Sequence, residues 1–241
     1  MDIVYLVKDT DVCDELTLSL RSLKNLPHDK VFLVGGCPHN IDKTKVIHIQ
    51  TIQSYTKYKN TTLGLEAVCK DDRLSDDFIL MNDDFFIMRP INDPVSELNL
   101  DRGLVSDVMF EYQSVYPENE EYIQGMYETF KILKDMGIEE PLSYELHIPM
   151  VMNKEKVLRM LEMPGVRMVE CLHKRSLYGN MFLKDSTYTK DVKMHLRMKE
   201  MPENTKFLST SDGYFNRMSF ILGAMFNEKS EYELEQAHNR G

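Results

Sequence analysis

Asp83 and Asp84 stand between two apolar runs, Phe78-Ile79-Leu80-Met81 and Phe85-Phe86-Ile87-Met88. Burying a carboxylate is costly unless it is paired or bound to a cation. The pair must therefore reach the surface at a strand end or meet positive charge there. Mg²⁺ and Mn²⁺ take hard oxygen ligands, often one or two carboxylates completed by phosphate oxygens, and a strand-end Asp-Asp is a holder for such an ion. The plainer reading is a solvated turn, which is how Asp71-Asp72 and Asp76-Asp77 read.

His147 lies in Tyr144-Glu145-Leu146-His147-Ile148-Pro149-Met150, flanked by apolar residues. On a strand, Glu145 shares its face. The two then make a general base and an orienting carboxylate, or His147 is a core histidine bonded to a carbonyl. Arg175, next to Lys174, offers a fork suited to a diphosphate; a surface ion pair is the commoner fate of an arginine. Asp212 sits at a strand-to-helix turn, as a helix cap or a second acid. Lys57, Lys59 and Asn60 precede a helix and suit a phosphate or a base, or form a solvated basic turn. His28, His39, His48 and His238 read as loop, surface or tail residues, and His173 and His195 stay open. There is no GxxxxGK[ST], GxGxxG or GxSxG, so the fingerprints of P-loop hydrolases, dinucleotide oxidoreductases and esterase elbows are missing.

The elements that position these residues alternate. Residues 3–7 read as a buried strand. Asp11 reads as the cap of a helix carrying Leu16, Leu20 and Leu23, stopped by Pro27. Lys30 to Gly36 and Lys45 to Gln50 read as strands, a helix begins near Asn60, and Asp76 to Asn82 reads as a fourth strand. This order predicts an α/β domain with a mostly parallel sheet, in which ligands gather at the carboxyl ends of strands. Farther on, Gly103 to Phe110 suggests a strand and Glu118 to Met136 a helix ending near Gly137. Tyr144 to Met152 reads as extended, and a capped helix follows. Residues 206–226 read as strand, turn and helix. The segments around 169–182 and 188–198 resist assignment. The polar stretch 228–241 reads as a tail that frays.

The chain has 241 residues, of which 42% are hydrophobic and 28% charged, the profile of a single soluble globular domain. Its net charge of -10 disfavours a broad nucleic-acid footprint. No apolar run approaches the ~20 residues of a membrane span. Cys13, Cys37, Cys69 and Cys171 show no zinc spacing and read as free thiols of a reducing compartment, which places the protein in the cytoplasm.

The segments 14–36 and 76–91 together resemble the second conserved region of the Stealth family, capsular polysaccharide phosphotransferases and relatives with a GT-A-type nucleotide-sugar glycosyltransferase fold. Residues 2–11 resemble that family's first region, the segment around His147 its third, Lys174 to Asn180 the arginine-serine segment that follows, and 206–216 its short last region. Here the first two regions run together, and Asp11 stands where an arginine commonly opens the second. The resemblance implies a GT-A-like, Rossmann-like mixed sheet flanked by helices over residues 1–227. Residues 1–90 would form the nucleotide-sugar-binding half and 91–227 the acceptor and catalytic half. It implies that Asp83 and Asp84 hold a Mn²⁺ or Mg²⁺ ion bridging the donor diphosphate, and that Lys8, Asp9, Lys59, Asn60 and Asp83 bind the nucleotide-sugar. His147, Arg175 and Asp212 would carry catalysis.

The expected function is metal-dependent transfer of a sugar from a nucleotide-sugar to a hydroxyl acceptor, most simply a glycan. The first alternative is transfer of sugar-1-phosphate with release of a nucleoside monophosphate. Behind it stand sugar transfer to a nucleic-acid base, at odds with the net charge, and a non-catalytic glycan- or sugar-nucleotide-binding module.

Overall fold

The computed structural model of the chain describes residues 1–195 and 205–235. Its first part runs β1 (Asp2–Val7), α1 (Asp14–Ser22), β2 (Val31–Gly35), β3 (Ile47–Ile49), α2 (Lys57–Cys69), β4 (Asp77–Asn82) and β5 (Phe85–Ile87). Next come α3 (Pro94–Glu97), β6 (Leu100–Asp101), α4 (Val105–Val115), α5 (Glu120–Asp135), β7 (Met150–Asn153) and α6 (Lys154–Leu161). The chain continues through α7 (Lys174–Phe182), β8 (Thr187–Tyr188), β9 (Lys193–Met194), β10 (Phe207–Thr210) and α8 (Asp212–Met225).

The main sheet has the order β3-β2-β1-β4-β7. Only β7 runs antiparallel, against β4. Strands covered on both faces read as continuous apolar runs, and β1 is buried throughout. Its side chains divide by the two-residue period of a strand. Ile3 and Tyr5 join Leu16 and Leu20 of α1 on one face, while Val4 and Leu6 join Leu65 of α2, Val157 of α6 and Leu177 of α7 on the other. The fold is therefore a mixed, mostly parallel sheet flanked by helices, as expected from the alternating elements.

β5 leaves this sheet. It pairs antiparallel with β10, which runs parallel to β9. The chain passes from the first sheet to the second through two residues, Asp83 and Asp84. At the end of β2, a Cβ on Gly36 would lie 2.4 Å from the Lys8 carbonyl, so glycine lets the β1 and β2 ends approach closely.

Several expectations are corrected. Cys13 caps α1, its Sγ accepting from the Leu16 N–H, while Asp11 pairs with His39. Helix α2 starts at Lys57 because Thr56 caps it, which puts Lys57, Lys59 and Asn60 inside its first turn. Residues 105–115 form a helix where a strand was expected. Val105 and Val108 repeat at helical spacing and meet Met126 of α5, so tertiary packing overrides β-branched propensity. The segment 143–149 is irregular and bends at His147-Ile148, with strand structure beginning only at Met150.

The stretch from 228 does not fray over its described part. Tyr232 is buried and accepts or donates at His28 Nε2, and Glu233 forms a two-pronged pair with Arg21 at 2.7 Å. His238 lies outside the described residues. Ending the chain at residue 227 should lower stability by roughly 2–4 kcal/mol, the scale of one buried aromatic plus one charged pair. Urea melts of the two lengths check this; equal midpoints would show that the segment contributes nothing.

Candidate active site

The carboxyl ends of β1, β2 and β4 converge, as expected for a ligand site in a sheet of this kind. Over them opens a cleft of about 980 Å³ lined by Lys8, Asp9, Asn60, Asp83, Asp84 and Asn216 among others. A second cavity of about 390 Å³ adjoins it, lined among others by Tyr58, His147, Lys174, Arg175, Lys193 and His195. The two share Leu6, Lys57, Thr61 and Asn82 as a common wall.

Asp83 and Asp84 stand where the cleft meets that wall. Asp84 Oδ2 accepts from the Lys193 ammonium at 2.8 Å and from the Ser209 hydroxyl at 2.9 Å. Its side chain is 13% exposed, so this pair is mostly shielded from solvent. Asp83 Oδ2 lies 3.9 Å from the Cys13 thiol. Burial first, and the Asp83 charge second, push that thiol up to about 12, so Cys13 stays protonated and unreactive.

Among the described residues no group of three or more His, Cys, Asp or Glu side chains is gathered to hold a metal. The donor set here is two adjacent carboxylates, and Lys193 and Ser209 both meet Asp84 at the same oxygen. That set fits a hard cation whose remaining ligands come from phosphate and water, the usual Mg²⁺ arrangement.

His147 faces a carboxylate, though a different one from that expected. Asp191 Oδ1 accepts from the His147 backbone N–H at 3.0 Å, and Asp191 Oδ2 meets His147 Nδ1 at 2.7 Å. Arg102 holds the same Oδ2 from behind at 3.5 Å. Burial alone would raise the Asp191 carboxyl, but His147 and then Arg102 outweigh it and hold it well below the usual range. An ionised carboxylate only accepts. Nδ1 is therefore the donor to Asp191, and in the neutral ring the lone pair sits on Nε2, as a base requires.

Glu145 does something else. Its Oε1 accepts from the Ser176 N–H in the first turn of α7, where negative charge suits the helix dipole. The expected pairing of Glu145 with His147 required a strand, and the chain is bent there.

Arg175 is 6% exposed. One terminal nitrogen donates to the Ile148 carbonyl at 2.8 Å, and the guanidinium lies 5.3 Å from the Phe85 ring centroid. Its Nη2 is buried with no partner among the described residues. Lys174 donates to the Thr61 hydroxyl at 3.0 Å. Burial pulls both cations below their ordinary values, partly offset by Glu145. Burial, and then Lys193, pull His195 down as well.

Lys8 and Asp9 are exposed on the rim of the cleft, where Gln53 accepts from the Asp9 N–H and donates to the Val7 carbonyl. Asn60 lines the cleft and folds back on Tyr55. Lys59 is not brought to the others: its ammonium donates to the Arg167 carbonyl at 2.8 Å. Asp212 is the first residue of α8, whose next turn brings Asn216 to the cleft; its side chain lies outside the described structure. His173 bonds the Tyr122 carbonyl and is structural.

Sequence reasoning missed Asp191 and Lys193 and left His195 open. A signal was present: Asp191-Val192-Lys193-Met194-His195 alternates with period two. Val192 and Met194 are buried, while Asp191 meets His147, Lys193 meets Asp84 and His195 lines the smaller cavity.

No protein-family model matches the chain, and no curated protein matches it. Among solved structures it is similar to an active-site mutant of LgtC (14% identity, 78% of this chain, 72% of that one, TM-score 0.45). It is also similar to the galactosyltransferase LgtC with donor and acceptor sugar analogues (12% identity, 78% of this chain, 73% of that one, TM-score 0.44). Mouse xyloside xylosyltransferase 1 is similar over more of both chains (10% identity, 97% and 96% covered, TM-score 0.42). Among the described residues no helix is long and apolar enough to cross a membrane.

The depressed Asp191 gives a test. A carboxyl whose folded pKa is lowered stabilises above its unfolded pKa, and that stability is lost as pH falls towards the folded value. Asp191→Asn should cost about 3 kcal/mol near neutral pH, the scale of breaking a buried pair. In urea melts the gap to wild type should hold down to about pH 4, near the unfolded carboxyl's pKa, and narrow below it. A gap independent of pH would mean that the charge on Asp191 is not what stabilises.

Proposed function

We propose that this chain is a glycosyltransferase of the GT-A type, moving a sugar from a nucleotide-sugar to a hydroxyl acceptor with a divalent cation at Asp83 and Asp84. One observation carries the reading: a strand-end acidic pair and a carboxylate-held histidine face two adjoining cavities across one shared wall. The larger cleft, at the carboxyl ends of three parallel strands, suits the nucleotide. The smaller, beside His147, suits the acceptor.

His147 Nε2 takes the proton of the acceptor hydroxyl, and Asp191 steadies the imidazolium that results. Lys193, beside Asp84, places positive charge where the donor's diphosphate ends. When bound, a divalent cation supplies charge neutralisation for the leaving nucleoside diphosphate. The glycosyltransferases among the similar structures agree with this reading but do not carry it.

A second reading keeps the same residues. Attack at phosphorus would transfer sugar-1-phosphate, and the unpartnered Nη2 of Arg175 beside Lys174 favours it, because phosphoryl transfer rests on positioned positive charge. Products separate the two: a nucleoside diphosphate is released in the first and a monophosphate in the second.

Turnover of a nucleotide-sugar panel should stop with EDTA and return with Mn²⁺ or Mg²⁺. Asp84→Asn should lower the rate at least about 100-fold and weaken Mn²⁺ binding read by electron paramagnetic resonance. His147→Gln should lower kcat by about 10²–10⁴-fold with donor binding kept. Undiminished turnover in EDTA would remove the cation, and undiminished turnover in His147→Gln would remove the base.

A further inference from the structure

The smaller cavity carries more positive charge than a neutral acceptor needs. Lys57, Lys174 and Arg175 line it, within a chain of net charge -10, together with Lys193, which pairs with Asp84. A single acid, Glu145, is among its lining residues; its Oε1 binds the Ser176 N–H, and its one negative charge offsets only part of that of Lys174 and Arg175. Asp191 is held by His147 and Arg102. Lys174 has three donor hydrogens and gives one to the Thr61 hydroxyl. Arg175 Nη2, in a side chain 94% buried, has no partner among the described residues. An unpaired buried donor on a cation is expensive, so it is an observation that itself points to an anionic ligand.

That anion need not be the donor's diphosphate. Lys174, Arg175 and His195 line the smaller cavity and not the cleft that ends in Asp83 and Asp84. At about 390 Å³ the cavity is of small-ligand size. Tyr58, Tyr112 and Tyr122 give it a largely apolar wall. A group meeting the Lys57 and Lys174 ammonium groups and the free Nη2 of Arg175 at once matches a phosphate dianion better than a singly charged carboxylate.

We infer that the smaller cavity is an acceptor subsite that takes a phosphate-bearing acceptor, a sugar or polyol carrying a phosphate monoester. Lys174 and the free end of Arg175 hold the phosphate, and His147 reaches a hydroxyl of the same molecule. This rests on the glycosyltransferase reading and adds the acceptor's class to it.

Inorganic phosphate titrated into the full chain by calorimetry tests the subsite. ADP, GDP, CDP and UDP with Mn²⁺ are tried first, and the tightest is used to fill the cleft. Phosphate should bind with its Kd changed less than about twofold by the bound nucleotide. Lys174→Met and the exposed-site variant Lys57→Ala should each weaken phosphate, the former about tenfold or more, a scale set by one charge-assisted hydrogen bond. Glucuronate should bind more weakly than phosphate, and a hexose phosphate should outpace its parent hexose as acceptor.

Competition between phosphate and nucleotide would mean that the cavity holds the donor's own phosphate, overturning the inference and favouring sugar-1-phosphate transfer. Unaltered phosphate binding in folded Lys174→Met and Lys57→Ala, or equal binding of glucuronate, would also overturn it. If no nucleoside diphosphate binds, the glycosyltransferase reading fails by itself, and the phosphate titration still reports on the cavity.

Discussion

The pairing of Asp84 with Lys193 and Ser209 is the interaction on which the site depends. The chain must cross from one sheet to another between two runs that are buried almost without exception. A carboxylate at that crossing is tolerable only with a positive partner or open water. Lys193 supplies the partner from β9, and Ser209 supplies a hydroxyl from β10, so the smaller sheet is docked onto the end of β4 by the charge the site needs. The same pairing fixes Asp84 in a place that is only slightly exposed. The metal role proposed for Asp84 gains by this, because a carboxylate already held in place has little reorganisation left to make.

Phe85 extends this arrangement by one residue. Its backbone carries the chain into β5, and its ring meets His147 edge-on at 6.2 Å and Arg175 at 5.3 Å. The aromatic side chain next to the acidic pair therefore fixes the walls on which His147 and Arg175 sit. The acidic pair and the lining of the smaller cavity are thereby mechanically linked through three consecutive residues, and removing the Phe85 ring would loosen both together.

The parts legible in the sequence were those with a local physical signature. The alternation of apolar runs with helical spacing gave the order of elements through β4, because parallel strands covered on both faces have no freedom to be polar. The acidic pair was legible because carboxylates between such runs are improbable in a core. Positions that depend on distant contacts were not legible. His147 stands out in the sequence between apolar residues, but the carboxylate it meets lies 44 residues on, where a strand reading of the segment points to Glu145 instead. Lys59 was placed at the ligand because helix α2 was started one turn late; the Thr56 cap turns its side chain towards Arg167 instead. The helix at 105–115 escaped because β-branched residues suggest a strand, although Val105 and Val108 are three residues apart, a helical spacing.

The segment 191–195 shows how little chain can tie the two cavities together. In three alternate positions it gives Asp191 to His147, Lys193 to the acidic pair and His195 to the smaller cavity. The intervening Val192 and Met194 are buried in two different core clusters, so the strand cannot slip by one residue without exposing them and inverting all three polar contacts. Register, normally a property of folding, here sets where Asp191 meets His147 and where Lys193 meets Asp84. The alignment of these polar pairs and core packing are in this way one constraint: a substitution at Val192 or Met194 that shifts the strand misplaces the three polar side chains even though neither apolar one lines either cavity.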